Sequence, residues 1–307
     1  MKTTPVTPAD LQSSVLAVPP LARHADLSLN VEGNRAMVRH LEDGGVRTLM
    51  YGGNANFYNI GVREYPAVLD LLEQIAGADS WVIPSIGPEY GKACDQIDIL
   101  RERAFPTAML LPLLFPSTNN GLATGFRKLA ERYGKPLILY IKSDGYLTVD
   151  TVAALMNDGL VSAVKYGTVR ENPAQDPFLR ELLQKVDASR VISGIGENPA
   201  IIHLRDFGLQ AFTSGSVCVA PRGSMKLLQL LKDKNYAEAE KVRAAYMPLE
   251  AARDGISPIR VLHEAVTLAG IADMGPMLPM LSNIDPADHA RVGEAARALL
   301  AHDRALA

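Results

Sequence analysis

The chain has little of what would mark several function classes. Cysteine is scarce: Cys94 and Cys218 are the two in 307 residues. They form neither a disulfide framework nor a metal-ligand spacing, a usage that fits a reducing compartment. The six histidines are scattered. His263-Glu264 opens a zinc-protease pattern, but Thr267 stands where a second histidine is needed, so no metal site is expected. Aromatic residues make up 6% and the net charge is −3, which leaves no basic, aromatic-studded surface for nucleic acid. No run approaches the roughly 20 apolar residues that cross a bilayer. The N-terminal MKTTPVTPADLQSS lacks the apolar core of a signal peptide, so neither a membrane nor a nucleic-acid partner is expected and a cytoplasmic location is. The stretch GIGENPA (194–200) begins like a dinucleotide-binding glycine loop, yet Pro199 takes the third glycine's place. No Gly-Lys-Ser/Thr loop for phosphate occurs either.

What is present is a rhythm. Hydrophobic residues at 48% and charged residues at 21% are ordinary for a globular protein. Short apolar runs fall at 13–18, 46–51, 80–86, 106–114, 136–141, 160–166, 190–195 and 209–215. Helical spacing lies between them, as in Tyr65, Val68, Leu69, Leu72 and Ile75 before Gly77, or Leu122, Phe126, Leu129 and Ala130 before Gly134. Alternating strands and helices imply right-handed crossovers and a parallel sheet. Eight such units predict an α/β protein with a closed (β/α)₈ TIM barrel. After Pro221 the strand signals stop, and 236–253, 258–269 and 286–301 read as helices. The expected division is a barrel carrying the active site over 1–221. Residues 222–307 would add the last barrel helix and a C-terminal helical extension.

In such a barrel the reactive groups lie at the C-terminal strand ends and in the loops after them. Those ends carry GGNANFYN (52–59), PSTNN (116–120), Tyr140, Lys165 with Thr168, GIGEN (194–198) and TSGS (213–216). Glycine, amide and hydroxyl groups suit a polar, oxygen-rich substrate that is uncharged to acidic. Lys165 closes an apolar run of Val161, Ala163 and Val164. Burial disfavours an ammonium, lowers its pKa and leaves an amine able to attack a carbonyl. The plain alternative is a lysine whose stem packs on the barrel while its head reaches solvent. Tyr140, one crossover earlier, is either a proton shuttle or a core tyrosine with a satisfied hydroxyl. Asn54 reads as the cap of a following helix or as a left-handed turn residue. In both cases nearby N–H groups could hold a carboxylate.

The order of these elements resembles the dihydrodipicolinate synthase/N-acetylneuraminate lyase family of class I aldolases. The resemblance runs from Ser13 to Ile284 and rests on LILYIKS, SAVKYGT, GGNAN, SGIGEN, FTSGSVCVAP and SPIRVLHEAVTLAGI. It implies that Lys165 forms a covalent imine with a 2-oxo acid, that Tyr140 relays protons, and that no cofactor or metal takes part. It also implies that Gly53 and Asn54 hold the substrate carboxylate and that Glu197 contacts sugar hydroxyls. Gly194, Thr168 and Ser214 stand as further substrate-binding candidates, and the family pattern implies a homotetramer. Departures are equally plain. Gly53-Asn54 replaces two threonines and Asn56 a glutamate. Leu114 stands where the synthase branch has an interface tyrosine, and Gly145 where it has a carboxylate-binding arginine. A true dihydrodipicolinate synthase is therefore not expected. The expected reaction is aldol cleavage or condensation of a hydroxylated 2-oxo (sugar) acid, with pyruvate and an aldehyde as the other partners. Dehydration of a 2-keto-3-deoxy sugar acid through the same imine is one alternative. A non-catalytic sugar-acid-binding or regulatory barrel is the other.

Overall fold

Each apolar run contains a strand: β1 (Leu16–Ala17), β2 (Thr48–Tyr51), β3 (Trp81–Ile86), β4 (Met109–Leu110), β5 (Leu137–Ile141), β6 (Val161–Tyr166), β7 (Val191–Ser193) and β8 (Ala211–Ser214). In the computed structural model, which describes residues 1–306, neighbours pair parallel in chain order. β8 returns to β1 and closes the ring, giving the expected (β/α)₈ barrel. The run at 106–114 yields a strand of only two residues. Pro106 and Pro112 flank it, and neither has an N–H to give to a ladder.

A short α1 (Pro8–Ser13) precedes the barrel. The crossovers are α2 (Val31–Asp43), α3 (Tyr65–Ile75), α4 (Tyr90–Arg101), α5 (Asn119–Tyr133), α6 (Val149–Asn157), α7 (Pro177–Lys185) and α8 (Glu197–Asp206), with α9 (Pro221–Lys232) after β8. Gly134 stops α5 in the left-handed conformation at φ 72°, as its place in the sequence implied.

The tail holds α10 (Tyr236–Ala244), α11 (Met247–Ile256), α12 (Pro258–Leu268) and α13 (His289–Arg304). The single helix expected over 236–253 is in fact two. Pro248 sits in the first turn of α11, where its missing N–H costs nothing, whereas inside a continuous helix its ring would clash with the preceding turn. The helix expected from 286 begins as a 3₁₀ turn, Pro286–Asp288, and becomes α-helical at His289. No helix among the described residues is long and apolar enough to cross a membrane.

Candidate active site

A parallel strand sends alternate side chains to opposite faces, and β6 uses this to separate two jobs. Tyr166 points outward to the helices. Its hydroxyl donates to Asp176 Oδ2 at 2.7 Å and its ring stacks on Phe178 at 6.0 Å. Lys165, one residue earlier, faces the other way and lines a cavity of about 160 Å³ at the C-terminal mouth of the barrel. The strand thus ends one residue later than the sequence suggested, and the phase of the alternation places the amine inside.

Tyr140 and Lys165 are register partners across β5 and β6. Nζ of Lys165 lies over the Tyr140 ring, 4.6 Å from its centroid. Lys165 is 6% exposed, and burial, with a smaller push from the positive charge of Lys142, brings its pKa down to about 7. Burial raises the Tyr140 phenol to about 12. At neutral pH the phenol therefore keeps its proton while the lysine is poised to lose one, which is the pairing an imine-forming amine and a proton donor require. Two glycines make room for the pair. A Cβ on Gly167 would lie 2.8 Å from Tyr140 Cε2, and one on Gly194 would lie 2.6 Å from Tyr166 O and 3.0 Å from Lys165 Cγ.

Of the expected substrate-binding residues, Gly53, Asn54 and Gly194 line the cavity with Lys165 and Tyr140. Asn54 spends one amide hydrogen on Val18 O at 3.0 Å. It neither caps a helix nor adopts a left-handed turn. The element that follows is a 3₁₀ turn of three residues, Phe57–Asn59, and the left-handed residue before it is Asn56 at φ 56°. Asn56, in the glutamate's place, accepts from Asn59 Nδ2 at 2.8 Å and is buried.

Glu197, Thr168 and Ser214 do not line the cavity. Glu197 is fully buried and accepts from Ser224 Oγ at 2.7 Å. Its place at the first turn of α8 sets the carboxyl against Ser224 of α9. Burial raises its pKa and lifts that of neighbouring Glu250 to about 8. Ser214 Oγ accepts from the Val217 N–H, and Thr168 is 5% exposed. Leu114, by contrast, is out in solvent beside Phe115.

Several lining residues had not been anticipated. Lys142 lies two residues past Tyr140, so strand alternation alone would have placed it on the same side. Arg253, Asp254, Ile259 and Leu262 come from α11 and α12, and no local pattern ties them to a lysine so far back in the chain. Beside the barrel residues of 1–221, helices of the tail close one side of the cavity. Arg253 is held there by Glu250 Oε2 at 3.1 Å, Asp254 Oδ1 at 2.9 Å and Ile195 O at 3.1 Å. Among the described residues no three His, Cys, Asp or Glu side chains cluster as metal ligands.

The model of the family described as the dihydrodipicolinate synthetase family matches residues 13–294. No curated protein matches the sequence. Solved structures do match in fold. Dihydrodipicolinate synthase from Oceanobacillus iheyensis is 20% identical, with a TM-score of 0.83 over 94% of this chain and 97% of that one. Sialic acid aldolase from Ruminococcus gnavus is 14% identical, with a TM-score of 0.84 over 96% and 99%. YagE, a prophage protein of the dihydrodipicolinic acid synthase family from E. coli K12, solved in complex with pyruvate, is 19% identical, with a TM-score of 0.80 over 93% and 98%.

Proposed function

Because the chain belongs to the dihydrodipicolinate synthetase family, we propose that it is a lyase that forms an imine between Lys165 and a 2-oxo acid. The observation that carries this reading is the in-register pairing of a buried amine with a phenol on the cavity wall. The neutral amine adds to the C2 carbonyl, and the carbinolamine loses its hydroxyl as water with a proton supplied by Tyr140. The protonated imine is then an electron sink. With the C4 hydroxyl deprotonated, the C3–C4 bond breaks and its electron pair moves to nitrogen, which leaves an aldehyde and an enamine. Protonation at C3 and hydrolysis by water return pyruvate and the free amine. The Gly53-Asn54 loop holds the C1 carboxylate through its amide groups, which fixes C2 against Nζ.

A true dihydrodipicolinate synthase is not the reading we favour. Leu114 points into solvent and Gly145 has no side chain, so neither replaces the group that the synthase branch uses there. Aldol cleavage of a hydroxylated 2-oxo acid is the reaction proposed.

The experiment is borohydride reduction in the presence of pyruvate, followed by mass spectrometry. A reduced pyruvyl adduct on Lys165, absent from Lys165→Ala, is expected. Failure to trap any 2-oxo acid on that residue would sink the imine reading.

A further inference from the structure

The cavity has a positive charge that nothing in its wall balances. Three fixed charges line it at neutral pH besides the half-titrated Lys165: Lys142, Arg253 and Asp254. Arg253 and Asp254 are bonded to each other, and Glu250 approaches Arg253 from behind. Asp144, two residues past Lys142, accepts from Arg170 Nη2 at 2.7 Å. Arg170 also binds Asp176, which holds Asp144 in that partnership. Each of these carboxylates, of which Asp254 lines the cavity, is therefore committed to an arginine. Among the described residues Lys142 makes no ion pair and no side-chain hydrogen bond, and it remains exposed at the opening. A protein with a net charge of −3 thus presents a positive pocket mouth, which draws in and orients anions.

We propose that Lys142 receives a second anionic group, a carboxylate or a phosphate, at the far end of a substrate whose keto-acid end reacts with Lys165. This assignment rests on the imine reading for its near end. Gly53 and Asn54, on the loop after β2, take the first carboxylate across the ring from β5 and β6. The amine at C2 lies beside β5, which Lys142 directly follows, so the remaining carbons extend toward the opening where the ammonium stands. An ammonium without a protein partner binds an oxyanion by a charge-assisted hydrogen bond. The crowded wall lowers the proton affinity of Lys142, and an arriving anion restores it.

Binding of sugar acids without a ketone tests this independently of turnover. Gluconate ends in a neutral hydroxyl, glucarate in a carboxylate and 6-phosphogluconate in a phosphate. The wild-type protein should bind glucarate, 6-phosphogluconate or both about tenfold to a hundredfold more tightly than gluconate. That ratio should collapse in Lys142→Met and survive in Lys142→Arg, and the acid preferred identifies which anion the site takes. Equal binding of all three acids by the wild type overturns the assignment. So does a ratio that Lys142→Met leaves intact, or a loss that is the same for gluconate as for the other two acids. Borohydride trapping of pyruvate on the same variants reports separately on the imine, so failure of one reading is not mistaken for failure of the other.

Discussion

Tyr140 and Lys165 face each other across one rung of the barrel, with the amine 4.6 Å from the centre of the phenol ring. One residue of slippage between β5 and β6 would turn one of them outward. Their partnership is thus a property of strand register, and its consequence is chemical. Tyr140→Phe keeps the ring and removes the proton carrier. Turnover should fall about a hundredfold or more, while pyruvate is still trapped on Lys165 by borohydride. Unimpaired turnover in this variant would take the phenol out of the mechanism.

The acidity of the lysine predicts the pH profile. The reactive form is the free amine, and burial brings its pKa to about 7. The kcat/KM for a 2-oxo acid substrate should rise with pH and level off above that value. In Lys142→Met a neighbouring positive charge is gone, so the inflection should move to higher pH. An inflection that moves down, or does not move, contradicts this electrostatic coupling.

Gly167 supplies the room the phenol occupies. A methyl there meets Tyr140 Cε2 at 2.8 Å, so the ring must turn. Gly167→Ala should lower kcat about tenfold or more at a stability cost of only about 1–2 kcal/mol. Thermal unfolding measured beside kcat separates the two effects.

Burying Lys165 should reduce stability. Its folded-state pKa of about 7 lies below the ordinary 10.5, so between those values the unfolded chain binds more protons than the native one. Native stability should therefore rise with pH across this window, and the penalty is greatest below its lower end. Lys165→Met is expected to be more stable than the wild type at pH 6 by about 2–4 kcal/mol. That advantage should shrink as pH climbs toward 10. Denaturant titrations at several pH values give the comparison.

Glu197 belongs to the framework behind the cavity. Its carboxyl accepts from Ser224 and is sealed from solvent. Glu197→Gln should change KM by less than about threefold. Glu197→Ala should cost about 1–3 kcal/mol, because Ser224 and its neighbours lose a partner. A large rise in KM for Glu197→Gln would restore this residue as a hydroxyl ligand.

Local spacing carried much of this protein. The eight apolar runs and the helical spacing between them specify the barrel, because a strand buried on both faces and an amphipathic helix each leave a pattern within a dozen residues. The same spacing puts Tyr140 and Lys165 near the ends of β5 and β6, and the family resemblance supplied the roles expected of them. Where alternation continues past a strand, as from Tyr140 to Lys142, the sequence held the information and a reading confined to strand ends passed over it.

What the sequence by itself determined, then, is the ring of strands and the amine at its mouth, since both follow from side-chain periodicity along single segments. Only the tertiary structure decided the rest. It sealed Glu197 behind Ser224, brought Arg253 and Asp254 from the tail into the wall, and paired Asp144 with Arg170 so that Lys142 stands without a carboxylate. These outcomes depend on which charges meet through space. Coulomb attraction and desolvation act over distances that folding sets, and no local pattern of residues displays them.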